Sequence, residues 1–187
     1  MTMRLFIGFR LSAAISEQVK ELRSLAGPGF GRSAAWVAPE NLHLTCAFLG
    51  EVRAEEKLPG IKKAMDAVAG DQSRITVTLG GLGAFPSLER PRVLWLGLTE
   101  GADELKALAQ KLRAGLKGGG FIFEREFSPH LTLCRVKFPP DASALAEAVN
   151  KARELKIRET VASLELIESR LLEAGRDYRT LYSTGLL

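Results

Sequence analysis

The 187 residues predict an α+β fold built as two similar lobes, and three observations carry that reading. Strand-like and helix-like patterns alternate along the chain with long connections between them. The order of elements begins again past the midpoint. One short segment also occurs twice, as Asn41-Leu-His-Leu-Thr-Cys-Ala47 and as Ser128-Pro-His-Leu-Thr-Leu-Cys134, with nearly half the chain between the copies.

The elements follow in order. Arg4 to Arg10 has strand composition, and Ser12 precedes apolar residues Ile15, Val19, Leu22 and Leu25 at spacings of three and four, which predicts a capped helix. Gly27 to Ala35 reads as a glycine-rich loop, followed by a strand over Leu42 to Leu49 and a helix from about Ala54 to Val68. Strands at Ile75 to Leu79 and Val93 to Leu98 flank a turn-rich stretch from Gly80 to Pro91. A helix from about Asp103 to Leu116 ends at three glycines, Gly118 to Gly120. The unit then repeats with a strand over His130 to Val136 and a helix opened by Asp141. Strands at Thr160 to Glu168 and Tyr178 to Thr184 close the chain. No strand order follows from pattern alone.

Composition narrows the class of protein. With 46% hydrophobic and 26% charged residues the chain reads as one bilobal domain over residues 1–187, large enough to bury a substantial core. A net charge of +4 favours anionic partners only weakly. Two cysteines, Cys46 and Cys134, do not make a disulfide framework and predict a reducing, cytoplasmic setting. The apolar run from Leu5 to Phe9 is too short for a signal-peptide core, and no stretch matches a membrane span, so no membrane partner is expected. The chain is expected to be monomeric.

The two tripeptides carry the chemistry. Side chains alternate along a strand, so His43 and Thr45 share one face while Leu42 and Leu44 pack behind them. His130 and Thr132 repeat that arrangement. One imidazole can take a proton from an attacking oxygen and the other can give one to a departing oxygen, while threonine hydroxyls donate to phosphate. Displacement at phosphorus needs entry and departure roughly in line, which two facing lobes provide. The chain has two histidines in all, and both lie in this setting.

A zinc site from His43, Cys46, His130 and Cys134 fits poorly. Cys46 is three residues from His43 and faces the other way, and Cys134 lies about 13 Å along the strand from His130, whereas zinc needs ligands at about 2 Å. The cysteines therefore read as core, and neither a metal nor a cofactor is expected. Phe9, Phe48, Phe85 and Trp36 have rings that could stack on a nucleobase, but as aromatics in apolar strands they read as core, and Arg4, Arg92 and Lys137, which could extend an electropositive rim, read as solvated charges. Arg135 is a candidate phosphate or base contact, although strict alternation turns it away from His130 unless a bulge intervenes.

The longer neighbourhoods of these residues resemble the two-histidine phosphoesterases, specifically the LigT-like RNA 2′,3′-cyclic phosphodiesterases. The resemblance spans nearly the whole chain: Met3 to Phe9, Trp36 to Gly50, Gly83 to Ser87 with Pro91 to Gly97, Phe127 to Arg135, and the closing strands through Tyr178. It implies two antiparallel-sheet lobes with outer helices around a central cleft, and no metal. It further implies hydrolysis of an RNA-terminal 2′,3′-cyclic phosphate to a 2′-phosphomonoester, with His43 as proton donor, His130 as acceptor, and Thr45 and Thr132 on phosphate. Joining of tRNA halves through a 2′,5′ linkage is implied as well. A relative acting on ADP-ribose 1″,2″-cyclic phosphate or 2′,5′-oligoadenylate is the competing enzyme reading. A module that binds RNA ends without turnover is the third, disfavoured because binding alone does not call for two titratable groups.

Overall fold

A computed structural model describes residues 2–124, 126–173 and 175–187. Its elements are β1 (Thr2–Arg10), α1 (Ala13–Phe30), β2 (Ala34–Trp36), β3 (His43–Arg53), α2 (Ala54–Ala69), β4 (Ile75–Phe85), β5 (Val93–Glu100) and α3 (Ala102–Lys117), then β6 (Leu131–Val136), α4 (Ala142–Glu154), β7 (Ile157–Val161), β8 (Ser163–Leu172) and β9 (Gly175–Gly185).

The local reasons for these elements are plain. In β1, Leu5, Ile7 and Phe9 are buried on one face while Arg4, Phe6, Gly8 and Arg10 alternate onto the other. Ile15, Val19 and Leu22 form the buried stripe of α1, and Leu105, Leu108, Ala109, Leu112 and Leu116 that of α3. Asp141 caps α4, its carboxylate accepting from the backbone N–H groups of Ser143 and Ala144.

All strands join one nine-stranded sheet in the order β7-β4-β5-β6-β3-β1-β8-β9, with β2 paired to β6. Every pairing among the described residues is antiparallel. The sheet divides into halves β7-β4-β5-β6 and β3-β1-β8-β9, and the segment β1-α1-β3-α2 recurs as β5-α3-β6-α4. Helices α1 and α4 pack together and back the first half, while α2 and α3 back the second. Each lobe thus has an antiparallel sheet inside and two helices outside.

The sheet is strongly curled. Only Ala162 separates β7 from β8, which stand at or near opposite ends of the strand order, and consecutive Cα atoms are about 3.8 Å apart. The C-terminal tail holds that corner: Leu186 N donates to Ala162 O and Arg74 N to Leu187 O. With helices on the convex side, the concave side becomes a cleft.

Three sequence readings are corrected. The segment 27–35 is not one loop: α1 continues to Phe30, whose ring is 1% exposed and packs edge-on against Trp36 at 5.9 Å, and a 3₁₀ turn then leads into β2. The side chains of residues 25–29, Leu25 among them, lie outside the described ones. The stretch after Gly80 is not mainly turn, because β4 runs on to Phe85 through a register shift between Gly80 and Leu82, where Gly81 takes a φ of 70°. Finally, Thr160 to Glu168 is two strands, since β7 pairs with β4 and β8 with β1.

Gly8 permits the closest approach in the sheet's second half. A Cβ built on it would lie 2.1 Å from the Leu44 carbonyl oxygen, an obstacle that is backbone and cannot rotate away. Gly8→Ala should therefore destabilise the protein by about 1–3 kcal/mol or more, as overpacking does. Urea denaturation measures this, and stability within about 0.5 kcal/mol of the parent would contradict the packing.

Candidate active site

The two halves of the sheet meet through one paired position, Leu44 with Leu131 on β3 and β6. Both leucines are fully buried. Extending that register by one residue each way sets His43 across from Thr132 and Thr45 across from His130, all on the concave face. The two imidazoles are then diagonal neighbours, on the order of 7–8 Å apart at the backbone.

Both rings are anchored alike. His43 Nδ1 lies 2.7 Å from Asn41 O, and His130 Nδ1 lies 2.8 Å from Ser128 O. A carbonyl only accepts, so each Nδ1 carries the hydrogen and each Nε2 is left for the cleft.

Their surroundings differ. His43 is enclosed by Phe6, at 4.7 Å between ring centroids, and by Tyr178 at 5.0 Å. Tyr178 pairs with Ser169 beyond the last β1 contact of β8, so flat register would leave it far from Arg10. Instead Arg10 Nη2 donates to Tyr178 O at 2.6 Å and Asn41 Nδ2 to Arg176 O at 2.8 Å, so the β8-β9 ribbon bends across the concave face. Burial holds the His43 pKa below 6.5; the nearby Arg10 and His130 charges act the same way, and the Asn41 carbonyl bond opposes them. Arg10 itself stands opposite His43 in the ladder. Its Nε is 3.8 Å from Glu165 Oε2, an ion pair too long for a hydrogen bond, and that carboxylate also accepts from Thr180.

Around His130 lie Phe85 at 5.1 Å and Trp95 at 6.0 Å. Trp95 is fixed by a missing side chain: a Cβ on its cross-strand partner Gly83 would fall 2.2 Å from the indole. Trp95 pairs with Thr132 and Val93 with Arg135, while Leu94 pairs with Cys134, so Leu133 is an extra residue in β6. That bulge returns exposed Arg135 to the face of Thr132, the condition the sequence reading required.

Other sequence candidates fall as follows. Phe9 is buried and Trp36 half-buried against Phe30, as core residues should be. Phe48 and Phe85 are not core, being 49% and 38% exposed, and the ladder sets both on the concave face. Arg92 and Lys137 are exposed, and Arg4 sits over the Phe48 ring at 4.9 Å. Cys46 and Cys134 are buried, which pushes each thiol up to about 12. Among the described residues no group of three or more His, Cys, Asp or Glu side chains is arranged to hold a metal. Sequence reasoning missed Phe6, Arg10, Trp95 and Tyr178. Alternation along β1 signalled the first two; nothing local signalled Tyr178.

The family model described as LigT like Phosphoesterase matches residues 10–95 and 96–176. A Thermotoga maritima RNA 2′,3′-cyclic phosphodiesterase is 36% identical over 182 residues, covering 96% of this chain and 94% of that one. An Escherichia coli protein of the same name is 39% identical over 157 residues, covering 79% and 83%. Among solved structures, TT0787 of Thermus thermophilus superposes with a TM-score of 0.80 at 28% identity, covering 98% of each chain. E. coli LigT complexed with 3′-AMP superposes with a TM-score of 0.75 at 32% identity, covering 100% and 99%.

The two imidazoles can be followed separately by NMR, with His43→Ala for assignment. In the free protein the His43 ring should titrate below 6.5 and, when neutral, carry its hydrogen on Nδ1. Inorganic phosphate should raise that midpoint, because a neighbouring anion favours imidazolium. A His43 midpoint at or above 6.5 without phosphate would contradict the enclosed setting.

Proposed function

The chain belongs to the LigT-like phosphoesterase family, and on that premise we propose that it hydrolyses RNA-terminal 2′,3′-cyclic phosphates to 2′-phosphomonoesters by acid/base catalysis between His43 and His130. One observation carries the reading: two histidines and two threonines share a concave face across the Leu44–Leu131 pair, with both Nδ1 atoms occupied and both Nε2 atoms free for substrate.

In this reading the cyclic phosphate sits between the imidazoles. Thr45 and Thr132 donate to its non-bridging oxygens, Arg10 adds positive potential beside His43, and Arg135 holds substrate on the other lobe. His130 takes a proton from water as the water oxygen bonds to phosphorus. The bond from phosphorus to the 3′ oxygen breaks, and His43 delivers a proton to that oxygen. The phosphate stays on the 2′ oxygen, and solvent resets both rings. With a 5′-hydroxyl end in place of water as the nucleophile, the same steps join that end to the 2′,3′-cyclic phosphate through a 2′,5′ linkage, the P–O3′ bond breaking as before.

Binding supplies what the free site lacks. His43 must be charged to act as acid, yet its pKa is held below 6.5 until an anionic phosphate arrives and favours imidazolium. The reaction needs one imidazole protonated and the other neutral, so kcat/KM should follow a bell-shaped pH profile. No cofactor enters the scheme. One bilobal unit over residues 1–187, monomeric and cytoplasmic, completes the proposal; its buried thiols suit a reducing compartment, and no described helix is long and apolar enough to cross a membrane.

Incubation with an oligoribonucleotide ending in a 2′,3′-cyclic phosphate, with EDTA present, tests the reaction. The expected product is the 2′-phosphomonoester, identified by its resistance to a 3′-specific phosphatase. A 3′ isomer, no turnover, or activity that returns only with a divalent ion would refute the scheme.

The division of labour has its own test, because the departing 3′ alkoxide needs a proton and a nitrophenolate does not. His43→Ala should lose roughly a hundredfold or more on the ribose cyclic phosphate and recover most of that on a nitrophenyl phosphodiester. His130→Ala should remain slow on both. The opposite pattern would exchange the two roles.

A further inference from the structure

The sheet brings five cations to one corner of the cleft. Past the rung that sets Thr132 across from His43, β6 turns Arg135 to the concave side, Val136 is buried beneath it, and Lys137 follows at the strand's end. Backbone bonds draw two other segments to the same place: Lys137 N donates to Ser33 O, beside Arg32, and Val136 N donates to Arg92 O. Arg92 N donates in turn to Phe85 O, closing the connection that carries Arg90. All five side chains are exposed.

Their charge is not answered within the protein. Among the described residues none of the five forms an ion pair, whereas Arg4, Arg53, Lys111 and Arg170 each have a carboxylate within 4.0 Å. The same segments, 31–41, 85–92 and 131–141, bear three carboxylates, Glu40, Glu89 and Asp141, so five cations leave an excess of two positive charges. Asp141 is occupied in capping α4, and Glu89 accepts from Ser87. Crowded cations of this kind repel one another and gather counterions, which a polyanion releases when it binds.

The polyanion that fits the corner is the RNA chain itself. In the proposed reaction His43 gives its proton to the 3′ oxygen, so the ribose lies on the His43 side and the chain leaves past the His43–Thr132 rung, toward the corner. Thr132 to Lys137 is five residues, about 16 Å along the strand, so the corner lies beyond the reacting phosphate. A cyclic mononucleotide has one phosphate, held at the histidines, and offers the corner no charge.

We propose that Arg32, Arg90, Arg92 and Lys137 form a docking surface for the body of the RNA, binding backbone phosphates upstream of the cyclic end without reading sequence. The preferred substrate is then an RNA chain and not a free nucleoside cyclic phosphate, and the preference weakens as salt rises. This rests on the hydrolase reading above.

The experiment measures kcat/KM against salt for uridine 2′,3′-cyclic phosphate and for an oligouridylate ending in the same group. Each phosphate contact to a single strand adds about −0.7 to the slope of log affinity against log salt, so the oligonucleotide should show the steeper slope. Arg32→Gln/Arg92→Gln/Lys137→Gln, which leaves Arg135 intact, should flatten that slope by up to about 2, or roughly sixteenfold between about 50 and 200 mM salt. Turnover of the mononucleotide should stay at the parent level. Lys137→Gln alone should flatten the slope by about 0.7, which repeats the test with a single exposed change. Lys63→Gln/Lys117→Gln/Arg153→Gln removes the same charge from the outer helices and should keep the parent slope. Equal slopes for the two substrates in the parent, or unchanged slopes in the corner variants, would overturn the surface and leave the corner to an anion other than RNA. Equal flattening by the outer-helix variant, or parallel loss of the mononucleotide in the corner variants, would overturn it as well. A parent that turns over neither substrate would refute the hydrolase reading instead. The surface is then judged by fluorescence anisotropy of a labelled oligouridylate 3′-phosphate, whose salt slope must flatten in the corner variants for the proposal to stand.

Discussion

The site depends on one backbone pairing. β3 and β6 join the two halves of the sheet at Leu44 and Leu131, and every other strand is placed through that junction. Because side chains alternate, the pair that buries its leucines toward the helices must turn the flanking histidines and threonines toward the cleft. A slip of one residue would send the imidazoles into the core and the leucines into water. Core burial and site geometry are therefore enforced together: the apolar surface that holds the lobes in register also orients the two imidazoles.

Register fixes the faces but not the ring orientations, which come from the backbone just ahead of each strand. Asn41 and Ser128 turn their carbonyls onto Nδ1 of the histidine two residues later. The cost of holding an imidazole in a partly desolvated cleft is offset by that hydrogen bond, which also selects the tautomer. Phe6 and Tyr178 on one ring, and Phe85 and Trp95 on the other, restrict rotation further. Pre-organisation of this kind leaves each ring little freedom to reorient.

Much of this was legible in the sequence because it is periodic. The repeated His-Leu-Thr, the alternation around it and the helical stripes in α1 and α3 are all patterns of spacing, and the structure follows them. What was not legible depends on contacts distant in the chain. Phe30 prolongs α1 through glycines because Trp36 and its neighbours offer a place to bury it. Gly80 to Gly83 look like turn residues, yet they serve a bulge and make room for Trp95. Arg135 reaches the cleft face through an extra residue in β6 that no periodicity announces. Phe48 has the composition of a core position, and only the sheet's end beside an open cavity leaves it exposed.

The proposed reaction asks a site so nearly two-fold to treat its two histidines differently. The two tripeptides, the two carbonyl anchors and the two threonines are equivalent, so the difference must arise outside the repeat. It arises in the β8-β9 ribbon, which bends over His43 and brings Tyr178 with it, while Arg10 stands in the adjoining rung. Burial and that positive charge both disfavour imidazolium at His43 in the empty cleft. An arriving phosphate answers the charge and, by filling the cleft, strengthens the electrostatics around it. In the proposed reaction the proton on His43 is therefore favoured once substrate is bound. The symmetry is broken without altering either motif, because the pocket and not the tripeptide sets the free energy of the charged ring.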